Sequence, residues 1–227
     1  SRFVHLHLHS EYSLADSTIR IPELVGRCVA QGQPSVAMTD RNNLFALVKF
    51  YKAAEGAGIK PIAGADISVA EGDETPWKLT LLCRDRSGYL SLSRLLSRAW
   101  MEGQRHDGVM VRPQWLQEAN AGLFALAGRH SQAGQLLAGN RPDLALQSLA
   151  DWQRHFDDRF HLELTRCGFE AETPFNAFAL HAAAERGLPV VASNDVRFLD
   201  ADGFEAHEAR VCISSGRVLD DTRSYDL

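Results

Sequence analysis

Three histidines stand at alternate positions near the start of the sequence, His5, His7 and His9 in FVHLHLHSEYS. Side chains of an extended segment repeat every second residue, so His7 and His9 share one face. Two neutral imidazoles a few ångströms apart form a pair of metal ligands, and nearby carboxylates complete such a cluster. Asp16 follows on a loop, Asp66 lies in GADISV, and Asp195 ends VVASND. Cys167, at the end of RFHLELTRC, adds a thiol. The plainer reading makes the histidines a polar strand face and each aspartate a helix cap or turn residue. His5 is given a structural role, hydrogen-bonded near the bottom of the fold.

Basic residues occupy similar places. Arg41 follows Thr39 and Asp40 at one strand end, Arg129 precedes His130 at another, and Arg197 follows Asn194 and Asp195; Lys78 begins a strand. Cations repel metal ions at close range. Guanidinium groups pair with carboxylates instead. The expectation is Arg–Asp pairs where another protein would hold ions, with exposure to water as the alternative for each basic group.

These residues need elements to position them. FVHLHLH alternates with period two and predicts a strand. IPELVGRCVAQG has helical spacing, an early Pro and a closing Gly. PSVAMTD predicts a short buried strand, and NLFALVKFYKAAEGAG a helix. IKPIAGADISVA and WKLTLLCRD predict strands, followed by the helix GYLSLSRLLSRAWMEG. GLFALAG, RFHLELTR and LPVVASND predict strands that alternate with the helices PDLALQSLADWQRHF, PFNAFALHAAAERG and FEAHEARVCISSG. Such alternation means βαβ units and a mostly parallel sheet of seven or eight strands. A closed barrel is the natural use of so many, and an open doubly wound sheet fits the same pattern. In either, chemistry gathers at the carboxyl ends of strands. No linker or repeat interrupts residues 1–227, so one domain is expected.

Composition sets the outer bounds. The 227 residues are 45% hydrophobic and 23% charged, ordinary for a globular protein. The apolar runs are too short for a membrane span, and no secretory pattern precedes the first strand. The four cysteines are scattered without a CxxC and read as reduced thiols. A cytoplasmic protein is the expectation. A net charge of −5 argues against a broad nucleic-acid grip, which needs clustered Lys and Arg.

FVHLHLHSEYSLAD, MTDRNNLFALVKFYKAAEGAGIKPIAGAD, LPVVASNDVRFLD and AHEARVCI…LDD appear in order. Together they resemble the PHP (polymerase and histidinol phosphatase) domain at the N-terminus of bacterial DNA polymerase III alpha subunits. The resemblance implies an α/β fold of the distorted (β/α)7 barrel type. Active PHP domains hold up to three divalent ions and hydrolyse phosphate esters. On that pattern His7, His9, Asp16, Asp66, Cys167 and Asp195 keep groups able to coordinate, whereas Arg41, Lys78, Arg129 and Arg197 replace ligands. The resemblance therefore implies a decayed metal site, with no cofactor expected beyond a weak residual zinc or manganese ion.

It also implies a role. The fragment is expected to be an excised domain of a longer DNA-directed DNA polymerase, a nucleotidyltransferase of DNA replication whose magnesium-binding catalytic residues lie downstream. No catalytic residue is assigned within the fragment. Its expected partners are the following polymerase domains and a separate proofreading 3′–5′ exonuclease subunit, with DNA bound only through the full-length polymerase. Two rivals stand beside this reading. One is an active metal-dependent 3′–5′ exonuclease or phosphoesterase using the six retained residues. The other is a free-standing enzyme similar to histidinol phosphatase.

Overall fold

The structure is a computed structural model that describes residues 3–14 and 16–219. In chain order its elements are α1 (Ile21–Ala30), β1 (Ser35–Met38), α2 (Leu47–Gly56), β2 (Lys60–Val69), β3 (Trp77–Cys83), α3 (Arg86–Glu102), β4 (Gln104–Arg105), β5 (Gly108–Val109), α4 (Pro113–Glu118), β6 (Leu123–Ala127), α5 (Gln132–Ala138), α6 (Pro142–Phe156), β7 (Phe160–Thr165), α7 (Glu172–Arg186), β8 (Val190–Ser193) and α8 (Gly203–Ser215). They fall into two compact units, Ser1–Ala63 with Asp195–Leu227, and Gly64–Asn194. The closing DDTRSYDL, residues 220–227, and with it the LDD end of the last motif, runs outside the described residues.

In the first unit, α1 starts with Pro22 in its first turn and buries Ile21, Leu24, Val25 and Cys28. That is the i, i+3, i+4, i+7 stripe of an amphipathic helix. The stripe joins Val36 and Met38 of β1, Phe50 and Ala54 of α2, and Leu8 and Ile19 in one apolar core. β1 is buried at all four positions and pairs in parallel with Lys60–Ala63.

The strand expected over FVHLHLH does not form; it is reduced to one bridge, Leu8 with Val196. The segment is nevertheless held from both sides. The Ala37 N–H donates to His5 O and the Thr39 N–H to Leu8 O, each at 2.8 Å. The Thr39 hydroxyl accepts from the Leu8 N–H at 2.9 Å and donates to the Leu8 carbonyl at 3.0 Å. A side chain thus takes the place of a backbone partner, and the ladder cannot continue. Val196 exchanges bonds with His7 O and the His9 N–H on the other edge. His5 packs its ring edge-on to Phe3 at 5.0 Å, and its Nδ1 has no hydrogen-bond partner among the described residues. The hydrogen bond expected for that ring is absent at this nitrogen.

In the second unit, Gly64–Val69 of β2 runs antiparallel to β3, and β3 antiparallel to β6. β6–β7 and β7–β8 are parallel. The sheet is therefore mixed, with β3 antiparallel to both neighbours and the other three pairings parallel. Residues 70–76 between β2 and β3 carry no helix, and a parallel connection needs a crossover of a dozen or more residues. Asp85 caps α3 by accepting from the Gly88 N–H at 3.1 Å. A Cβ at Gly88 would meet Gly122 O at 1.9 Å, so the helix start lies flush on that turn. The hairpin β4–β5 and the short helices α4 and α5 were not foreseen from periodicity, since each is too short to show one.

Candidate functional site

His7, His9, Asp16, Asp195 and Arg197 come together in the first unit. His9 and Asp16 are buried, at 0% and 3% exposed. The His7 and His9 ring centroids are 5.5 Å apart, and His7 Nε2 lies 3.4 Å from Asp195 Oδ1. Ligand atoms of His7, His9 and Asp195 all lie within 4.8 Å of one another, close enough to share an ion. The Arg197 guanidinium occupies the same ground. Its Nη1 donates to Asp16 Oδ2 at 2.6 Å, and its Nη2 lies 2.7 Å from Asp195 Oδ1. Nη1 is also 2.6 Å from His9 Nδ1. That ring nitrogen lies 3.1 Å from Asp16 Oδ1 as well. It accepts from Arg197 in one tautomer and donates to Asp16 in the other.

Burial alone would raise the Asp16 carboxyl, but the neighbouring His9 ring and Arg197 guanidinium outweigh it. They hold Asp16 below the usual carboxylate range, with Arg41 acting in the same direction. A buried carboxylate that stays ionised requires such a cation. The Arg41 backbone N–H donates to Ser13 Oγ at 3.0 Å.

The backbone around the cluster is tied by hydroxyls. Ser17 Oγ donates to His9 O at 2.6 Å and to Arg197 O at 2.9 Å. Asp40 accepts from the Ser10 N–H at 2.6 Å and from Ser13 Oγ at 2.8 Å, pinning the 3-10 turn Glu11–Ser13 to the end of β1. His207 of α8 places Nε2 3.1 Å from Asp16 O. A carbonyl only accepts, so Nε2 carries the proton. Burial lowers the pKa of this imidazole and keeps it neutral. His207 was quoted in AHEAR but given no role in the sequence reading. A buried histidine on a helix carries no signature that separates it from a core residue.

The remaining candidates belong to the second unit. Asp66 is buried and accepts from Thr80 Oγ1 at 3.4 Å. The Lys78 N–H donates to His130 O at 2.8 Å. The Arg129 guanidinium stacks 4.1 Å from the Phe169 ring centroid. The exposed Cys167 donates from Sγ to Asn194 O at 3.0 Å. Glu163 escaped the sequence reading because it sits inside the apolar strand β7. It is buried, and Ser193 Oγ donates to it at 2.5 Å.

The PHP domain family matches residues 5–167. DNA polymerase III subunit alpha of Xylella fastidiosa (strain Temecula1) is 60% identical over 238 residues, covering 98% of this chain and 20% of the relative. The Escherichia coli (strain K12) subunit is 44% identical over 226 residues, covering 98% and 19%. The chain thus spans about a fifth of the length of the curated relatives it matches. Among solved structures, one from Bifidobacterium adolescentis described as a metal-dependent phosphoesterase aligns with TM-score 0.61 at 15% identity, covering 96% of this chain and 99% of that one. An amidohydrolase from Chromobacterium violaceum, with bound sulfate and no metal, aligns with TM-score 0.57 at 16% identity, covering 91% and 96%. These likenesses show the α/β fold, of the distorted (β/α) barrel type. Among the described residues no helix is long and apolar enough to cross a membrane.

Proposed function

The chain belongs to the PHP domain family, and from that premise we propose that it is the N-terminal PHP domain of a DNA polymerase III alpha subunit whose metal site is replaced by internal ion pairs. In this reading the domain hydrolyses nothing. It supports the downstream DNA-directed DNA polymerase in the cytoplasm and docks the proofreading 3′–5′ exonuclease subunit.

The observation that carries the reading is the position of Arg197. Its nitrogens lie 2.6 Å from Asp16 and 2.7 Å from Asp195, where a cluster of ions would need both carboxylates. A tethered cation supplies the neutralising charge without open coordination positions, and hydrolytic metal chemistry depends on such positions. The residues as placed do not suit a catalytic ion cluster, so no hydrolytic step is assigned to them. Arg41, Lys78 and Arg129 are read in the same way, as basic replacements at former ligand positions.

A second reading has its own support. His7, His9 and Asp195 keep ligand atoms within 4.8 Å, which favours a metal-dependent 3′–5′ exonuclease or phosphoesterase if Arg197 swings aside. Titration separates the two. The 227-residue chain is mixed with the exonuclease subunit, and separately with a primed DNA duplex, near 150 mM salt. Docking needs a patch of about 800 Å² per partner. DNA affinity needs phosphate-neutralising charge that a net −5 does not supply. Micromolar binding of the protein with much weaker binding of DNA is the expected pair. Tight DNA binding without exonuclease binding favours the nuclease.

A further inference from the structure

We propose that the outward side of α8 is a seat for the polypeptide that follows it in the full-length chain. The proposal rests on reading the 227 residues as the N-terminal part of a longer subunit. α8 has 13 residues and one that is buried, His207. Helices of this length gain most of their stability from burying an apolar stripe, and α8 buries little of one: Phe204 and His207 pack on Phe198, with ring centroids 5.8 and 5.5 Å away.

Polar bonds fasten the helix as well. His207 donates to Asp16 O and Arg210 to Leu14 O, so the helix grips the backbone of a residue whose carboxylate belongs to the site. Ala206, Ala209 and Ile213 recur at i, i+3 and i+7 on another side. Ile213 is 82% exposed, and Val218 and Leu219 beyond the helix are 65% and 47% exposed. Exposed branched aliphatic side chains at the end of a helix and just beyond it mark a surface that is covered in the assembled protein.

The occupant follows from length and tethering. The relatives align over 98% of this chain yet extend to about five times its length. A segment that follows in the same chain is tethered to the patch covalently. Its effective concentration there is on the order of millimolar, an advantage that no free partner and no second copy shares. Such a contact would also hold Leu14 and Asp16 through Arg210 and His207, tying the filled site to the body of the subunit.

Cysteine accessibility in the native full-length chain tests this. Ile213→Cys in a Cys212→Ser background is compared with Met101→Cys, at a site on α3 that is 74% exposed. Maleimide labelling is read peptide by peptide. Labelling at position 213 about tenfold slower than at position 101, independent of protein concentration, is the expected result. Equal rates overturn the proposal, as does protection that appears only at high protein concentration. Amide exchange across residues 203–219 gives a second measurement. In the full-length chain Ile213→Asp is expected to speed it about tenfold, and unchanged exchange overturns the proposal. The encoded length of the chain checks the underlying reading separately. Equal labelling in a long chain sinks the seat alone, whereas a gene ending near residue 227 sinks the reading beneath it.

Discussion

Arg197 Nη1 donates to Asp16 Oδ2 at 2.6 Å across 181 residues of sequence. Both side chains are largely withdrawn from water, at 14% and 4% exposed. Removing one partner of such a pair leaves the other charged and buried. Arg197→Ala is therefore expected to cost about 3–5 kcal/mol of unfolding free energy, measured by urea denaturation. A loss within the ordinary surface range, below about 0.5 kcal/mol, would mean that the pair is not made in solution.

Returning imidazoles to the pocket reverses its preference. Arg41→His with Arg197→His removes two positive charges beside Asp16 and adds two ligands to those of His7, His9 and Asp195. The double variant is expected to be less stable than the parent without metal and to gain about 2.7 kcal/mol when zinc or manganese is present at a hundred times its dissociation constant. Thermal melts with and without the ion read this directly. A midpoint that added metal does not move would show that the pocket no longer has ligand geometry.

Acid should weaken the fold in two stages. Burial lowers the pKa of His5 and His207 from an ordinary 6.5, so the unfolded chain takes up protons that the folded chain refuses. Their contribution is fully present above pH 6.5 and is lost as pH falls toward the folded values. Asp16 is held below the usual carboxylate range. Its contribution is present above the unfolded value near 3.8 and disappears only below it. Urea midpoints between pH 8 and pH 3 should be flat at first, then fall below about 6.5. His207→Gln should flatten part of the first stage. A midpoint independent of pH across that range would contradict the placement of both histidines.

The loop after β7 has a separate anchor. Glu172 is buried and accepts from the backbone N–H groups of Cys167 and Gly168, each at 3.0 Å, and of Phe169 at 3.3 Å. Glu172→Ala strips these donors of their acceptor and is expected to cost about 1–3 kcal/mol. It should also speed alkylation of Cys167. Unchanged thiol reactivity would show that the loop holds its shape without the carboxylate.

The sequence was informative where a pattern covers many residues. The spacing of Ile21, Leu24, Val25 and Cys28 located α1, and Pro142 marked the start of α6. Expected strand ends point to His7, His9, Asp195 and Arg197, and the loop after the first points to Asp16. What stayed hidden depends on contacts between distant residues. FVHLHLH alternates as a strand does, yet the Thr39 side chain takes its hydrogen bonds. The antiparallel direction of β3 follows from a short connection, which periodicity does not register. Ser10 and Ser13 carry no signal in sequence that Asp40, 30 and 27 residues away, accepts from both. Glu163 has no neighbour in sequence that reveals Ser193, 30 residues away, as its donor.

Metal content measures the central claim most directly. The protein is purified without chelator, dialysed at neutral pH and analysed for zinc, manganese and iron. Arg197 in contact with Asp16 and Asp195 predicts well below one tightly held ion per chain. Stoichiometric zinc or manganese surviving dialysis would contradict it, and would place His7, His9 and Asp195 in a working metal centre instead.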